Sequence, residues 1–358
     1  MRSRIDKAIV MPVPRTIMID LRSMKASVLA SLLLLSYTGC DFQAFAVKAT
    51  ARTTARASIA LESHWDYELA TSTMPGSIIQ FEGMLTIVPE DEVILLTLVR
   101  AYVGYTYAVV EDHAEIAEAQ GDYETAQYHR DRSRYLYQRA KDLGMYLLSL
   151  KKDGMKESMA GGVEGFEEWL EKNFKKKEDA EILLWTGYAW GNWINASKDN
   201  MAAVADLPYV YAIVDHSRKL DETYFNGAAY MMLAMITVNG MNPDLDLAEK
   251  YFRRSIEIAN GGSFLTIVNM GRFYATKRND RELFIELMRQ VLEADDGIPS
   301  ARFTNMVAKR RAARYLMQLD ELFLPEIEDD FGGEDEWNAE QSADTPSEGD
   351  EPNEEESE

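Results

Sequence analysis

Leu247-Ala248-Glu249-Lys250-Tyr251-Phe252-Arg253-Arg254-Ser255-Ile256-Glu257 sets a small residue, an aromatic one and a second small one at positions 248, 252 and 255. Steps of four and three residues put all three on one face of a helix. A partner helix can lean on the small positions while the ring fills the groove between them. The pattern recurs more loosely in Val210, Val214 and Ser217, and in Phe284, Met288 and Val291. Ser77, Phe81 and Met84, with Pro89 behind them, form an earlier copy in which Met84 is a misfit. The anchors 214, 252 and 288 are 38 and 36 residues apart. A complementary pattern, glycine and then an aromatic one turn later, marks Gly104/Tyr107, Gly187/Trp190 and Gly271/Tyr274.

These two faces in alternation resemble the paired helices of tetratricopeptide units, which repeat about every 34 residues. The chain after residue 60 shows no period-2 alternation, and its apolar residues recur at helical spacing. Breaks carry turn chemistry: Pro89-Glu90-Asp91, Gly121-Asp122, Asn242-Pro243-Asp244, Gly261-Gly262 and Asn279-Asp280. The expected fold is all-α, a helix-turn-helix α-solenoid over residues 61–325, because no single helix pair buries its own apolar face. Two stretches interrupt the period. Residues 151–180 read as an insertion ending in a mobile basic run, Phe174-Lys175-Lys176-Lys177, and Asn195–Pro208 lengthens one turn.

The ends have different chemistry. The 358 residues carry a formal charge of −22. Residues 326–358 hold 16 acidic and no basic side chains, and residues 1–40 are net +4, which leaves the body at −10. This balance argues against nucleic acid as a partner. The acidic segment 326–358 has the composition of a disordered tail. From Met24, a possible true start, a lysine precedes a short apolar run and small residues that end at Cys40, the only cysteine. Such a run is too short for a bilayer span and reads as an export signal. Thr38-Gly39-Cys40 resembles a bacterial lipoprotein signal, although Tyr37 stands where leucine is usual. The resemblance implies acylation of Cys40 and a protein anchored in the periplasm to one of the two membranes, with 41–60 as its tether.

Residues 182–197 read Ile-Leu-Leu-Trp-Thr-Gly-Tyr-Ala-Trp-Gly-Asn-Trp-Ile-Asn-Ala-Ser. At about 100° per residue, Gly187 and Gly191 form one flank, and Trp185, Trp190 and Trp193 fan out over the other. Such a wall suits an apolar or amphipathic ligand, and aromatics at helical spacing also fill cores. The candidate ligand-lining residues are Tyr102, Tyr105, Tyr107, Trp185, Trp190 and Trp193, with Asn192 and Asn195 to orient a polar head group.

Four stretches together resemble the T component (TatT) of tetratricopeptide-associated TRAP (tripartite ATP-independent periplasmic) transporters. They are Ile79–Pro89 continuing to Tyr102–Tyr107 and Glu111-Asp112; Leu184–Asn195 with Asp206-Leu207-Pro208; Ala248–Ile256; and Glu293–Asp296 with Ala308–Ala312 and Leu319–Phe323. The resemblance implies a homo-trimeric periplasmic lipoprotein. It implies pairing with an extracytoplasmic solute-binding protein and an apolar cleft or channel for an organic solute. A general envelope scaffold that holds a protein or peptide is the competing reading.

Catalytic chemistry has little to stand on. There is no phosphate-binding glycine loop with its lysine and no Gly-x-Ser-x-Gly elbow. The four histidines, His64, His113, His129 and His216, are scattered, and no metal or other cofactor is expected. Glu111-Asp112-His113-Ala114-Glu115 sets carboxylates beside an imidazole, and a solvated helix end is the expected explanation.

Overall fold

The structure, a computed structural model, describes residues 42–323. Cys40, the signal and the acidic segment 326–358 lie outside the described residues.

Residues 42–57 form α1. It is followed by α2 (Ile59–Glu62), α3 (Tyr67–Ile87), α4 (Glu92–Tyr105), α5 (Glu111–Ala119) and α6 (Tyr123–Lys151). Then come α7 (Met155–Ala160), α8 (Gly162–Asn173), α9 (Asp179–Asn195), α10 (Met201–Val204), α11 (Leu207–Leu220) and α12 (Ala228–Asn239). The last are α13 (Leu245–Ile258), α14 (Phe264–Asn269), α15 (Arg281–Glu293), α16 (Arg302–Met317) and α17 (Leu319–Leu322). Among the described residues there is no strand, and the fold is all-α.

The turn residues act as helix caps. The carboxylates of Asp91, Asp122, Asp244 and Asp280 each accept a backbone N–H from the first turn of the helix that follows. This satisfies donors that no intrahelical carbonyl can reach. Neighbouring helices in the chain then pack in order: α3 on α4, α4 and α5 on α6, α6 on α9, α9 on α11, α11 on α12 and α12 on α13.

The small–aromatic–small positions are the contact faces. Ala248, Phe252 and Ser255 are fully buried, as are Val210, Val214, Phe284, Met288 and Val291. In α3, Phe81 and Met84 face inward, but Ser77 is exposed and Ile78 takes the buried place beside it.

The glycines divide. A Cβ on Gly187 would sit 2.5 Å from Val214 Cγ2, and one on Gly271 would sit 2.4 Å from Met288 Cε. Both are points of close helix approach. A Cβ on Gly104 would meet nothing within 4 Å, so the expected close approach is not made there.

Two expectations need correction. Residues 151–180 are not an excursion from the helical body, because α7 and α8 place Phe166, Trp169, Leu170 and Phe174 in the core and α8 packs on α11. Trp169 Nε1 also donates to the Asp153 carbonyl at 2.8 Å. The tether segment 41–60 is helical over 42–57 and docks through Ala44, Val47 and Ala51. Its Ala, Lys and Arg content favours helix over coil.

The helices enclose two apolar cores. The first runs from α1 to the start of α12, and the second from α12 through α15. Helix α16 belongs to both: Phe303 and Val307 pack in the first, and Ala308, Ala312 and Tyr315 in the second. The C-terminal helix thus returns to the N-terminal ones, touching α2 and α3 as well as α14 and α15. By composition the Glu92–Ala119 helix could cross a bilayer, its 18-residue apolar window having a mean hydropathy of 1.7, but 56% of that window is buried inside the protein.

The glycine contrast is testable by thermal unfolding. Gly187→Ala should lower stability by about 1–3 kcal/mol through overpacking against Val214. Gly104→Ala should raise it, by up to about 1 kcal/mol, because only helix propensity changes. Equal effects of the two substitutions would contradict the packing described.

Candidate functional site

Helix α9 carries the aromatic segment and packs on α4, α6 and α11. Being surrounded, it cannot turn its three tryptophans onto one open wall. Trp185 is 7% exposed, and its Nε1 donates to Tyr224 Oη at 3.1 Å. The Arg100 guanidinium lies 5.2 Å from its ring, and the Phe225 ring meets it edge-on at 5.0 Å. Phe225 and Asn226 hold left-handed φ of 48° and 59°, a strained conformation that sets this ring against Trp185.

Trp190 is 1% exposed. It stacks on Tyr209, faces Phe166 and donates to Asp206 Oδ2 at 3.1 Å. Trp193 is half-buried and points to α6, where Lys141 Nζ sits 3.7 Å from its ring. The three rings therefore serve three different contacts, and Trp190 is a core side chain. Asn192 is half-buried and Asn195 exposed.

The tyrosines fare differently. Tyr102 donates to Glu82 at 2.8 Å; burial first, and that carboxylate second, push its phenol up to about 12. The Tyr105 hydroxyl accepts from Arg132 Nη2 at 2.8 Å. Tyr107 belongs to a cluster that the sequence did not reveal.

That cluster joins α5 to α16. Between α4 and α5 the helix widens into a π turn, Thr106–Val110, a feature often tied to function. Two of its carbonyls are taken up from outside: Tyr107 O accepts from Arg311 Nη2, and Ala108 O from Tyr67 Oη, at 2.8 and 2.7 Å. The Arg311 guanidinium lies 3.9 Å from the Tyr107 ring. It also donates to Glu115 Oε1 at 3.0 Å and pairs with Glu111 at 3.4 Å. Arg314 pairs with Asp112 at 2.7 Å and with Glu115. Arg310 lies 3.7 Å from Asp112 and 4.2 Å from the Tyr67 ring. Tyr137 on α6 donates to Glu111 at 2.9 Å, and Tyr315 donates to Glu115.

The 111–115 stretch is therefore not a solvated helix end, and His113, exposed, takes no part in these bonds. Three carboxylates face three guanidinium groups, so the charges of the cluster neutralise one another. Tyr107 Oη, Arg311 Nε and Arg314 Nε are buried donors without an acceptor among the described residues.

The two glutamates shift in opposite directions. Burial raises Glu111, and its single arginine, Arg311, does not offset that. Burial also acts upward on Glu115, but Arg311 and Arg314 together hold it below its ordinary value.

Open concavities lie elsewhere. A depression of about 570 Å³ on α15 is lined by Glu282, Ile285, Glu286, Arg289, Gln290 and Glu293. Another of about 520 Å³ is lined by Lys177, Arg218, Lys219, Leu220, Asp221 and Glu222. Neither includes a residue expected to line a ligand site. Among the described residues, no three His, Cys, Asp or Glu side chains converge as metal ligands.

A family model described as the TRAP transporter T-component (TAtT) matches residues 63–323. The chain belongs to this family. The T-component unit thus spans α3 to α17, with the aromatic helix and the whole α5–α16 joint inside it and α1 outside. No curated protein matches the chain in sequence.

The joint generates two expectations. Arg311→Met should cost about 3–5 kcal/mol, since it strands buried carboxylates. Arg139→Met, which breaks the more exposed pair with Glu82, should cost under about 1 kcal/mol. Second, the folded-state value of Glu115 is depressed, so its stabilisation is present above the unfolded value of 4.5 and lost as pH falls through the folded value. Glu111 is raised and acts oppositely, its contribution being lost as pH rises through its folded value. Urea unfolding should show Glu115→Gln less stable than wild type at pH 7, with the gap closing below pH 4.5. A gap constant with pH would contradict this assignment.

Proposed function

We propose that this T-component is a periplasmic lipoprotein, anchored through Cys40, that docks an extracytoplasmic solute-binding protein for a TRAP permease. The family match over 63–323 carries the reading. It supports an accessory role in TRAP transport, and the signal-like run before Cys40 supports the envelope location. Tetratricopeptide-like pairing of the helices fits the buried small–aromatic–small faces. Assembly as a homo-trimer and an apolar organic solute complete the proposal, and no catalytic step is assigned to the chain.

The solute would meet aromatic surface beside α9. Of the expected residues on α9, Trp193 and Asn192 are half-buried and Asn195 is exposed, and these remain candidates for contact, whereas Tyr107 is taken up by the α5–α16 cluster. Trp190 would act from behind, by fixing α9 through Asp206.

The scaffold reading keeps one observation in its favour. Trp185 and Trp190 are engaged in packing and hydrogen bonds, which suits an α-helical body that offers its outside to a protein.

Affinity purification from the native envelope separates the two. The transport reading expects a solute-binding protein in the eluate and a small organic molecule in the solvent extract of the purified chain, detected by mass spectrometry. Recovery of other envelope proteins, with neither of these, would overturn it in favour of the scaffold.

A further inference from the structure

Helix α1 buries Ala44, Val47 and Ala51 against the body, so its opposite side is fixed toward the outside. On that side Phe42, Phe45, Ala49, Arg52 and Arg56 follow one another at intervals of three and four residues and are all exposed. They form one straight stripe about 21 Å long. Its first two members are phenylalanines left 72% and 69% exposed. Its far end is basic, with Lys48 at its flank, and residues 42–57 contain no acidic side chain, although the body as a whole is net negative. Arg52 has a long 3.8 Å pairing with Asp91 and stays more than half exposed. The stripe lies N-terminal to the family match, which begins at residue 63.

We propose that the Phe42–Arg56 stripe is a docking face for an anionic phospholipid bilayer. The proposal rests on the reading of Cys40 as the lipid anchor, which lies two residues before Phe42 in the sequence. An acyl anchor there delivers the two phenyl rings to the acyl–headgroup boundary, where aromatic side chains partition well. The arginines follow 10 and 14 residues after Phe42 on the same face, within reach of lipid phosphates, for which the guanidinium fork is suited. One acylated residue fixes position but not orientation. The stripe supplies the orientation and holds α1, and the body packed on it through Ala44, Val47 and Ala51, against the membrane.

The test uses the full chain, purified from envelopes and reconstituted in vesicles that carry a diazirine phospholipid, with or without phosphatidylglycerol. Adducts are mapped by mass spectrometry after illumination. The proposal expects adducts at 42, 45, 49, 52 and 56 in the anionic vesicles, few at Gln43, Ala46 or Thr50, and loss beyond residue 45 in Arg52→Gln/Arg56→Gln. Adducts spread evenly around α1, or confined next to residue 40 whatever the lipid charge, would overturn it. So would adducts that appear only after residues 326–358 are removed, since the acidic segment would then be the occupant. Intact mass reports Cys40 separately. An acylated Cys40 with an unlabelled stripe keeps the anchor and removes the docking face. An unmodified Cys40 with a labelled stripe does the reverse.

Discussion

The guanidinium of Arg311 holds together residues some 200 positions apart, and the long-range order of the molecule depends on that contact. A stack of helices that each touch mainly their chain neighbours has no intrinsic reason to stay closed. Here the last long helix carries Arg310, Arg311 and Arg314 back to Glu111, Asp112 and Glu115. Burial makes this an all-or-nothing arrangement. Each charge costs heavily out of water unless its partner is present, so removal of one partner strands the others. The π turn at Thr106–Val110 contributes by presenting the Tyr107 carbonyl where Arg311 needs a further acceptor.

Packing governs what the aromatic helix can do. Helix α9 is walled by α4, α6 and α11. Trp185, Trp190 and Trp193 then become three separate joints: one to the left-handed Tyr224–Gly227 turn, one to α8 and α11, one to α6. For a TRAP T-component this shifts attention from a ready-made aromatic hollow to the surfaces around it.

Much of the fold was legible because it depends on local rules. The faces at 248/252/255 and 284/288/291 are buried as their spacing requires, and the turn aspartates cap the helices that follow them. Gly187 also behaves as its pairing with Trp190 implied. What was not legible depends on contacts distant in sequence. Residues 151–180 broke the repeat period and so resembled an excursion, yet Phe166 and Phe174 are fully buried. Glu111, Asp112 and Glu115 looked like a solvated helix end because the arginines that neutralise them come 200 residues later. The angles of the tryptophans around α9 follow from their spacing, but angle alone does not reveal how many neighbours a helix has, and three different ones take the three rings.

Hydrogen exchange read by mass spectrometry, with no substitution in the chain, addresses the closure of α16 on α5 most directly. If the arginine–carboxylate joint locks the ends into one unit, amides of 111–119 and 302–317 should be protected to the same degree and should lose protection together as urea is raised below the main transition. Early exchange across 302–317 while 111–119 stays protected would show that the last helix opens alone and that the joint does not hold the molecule closed.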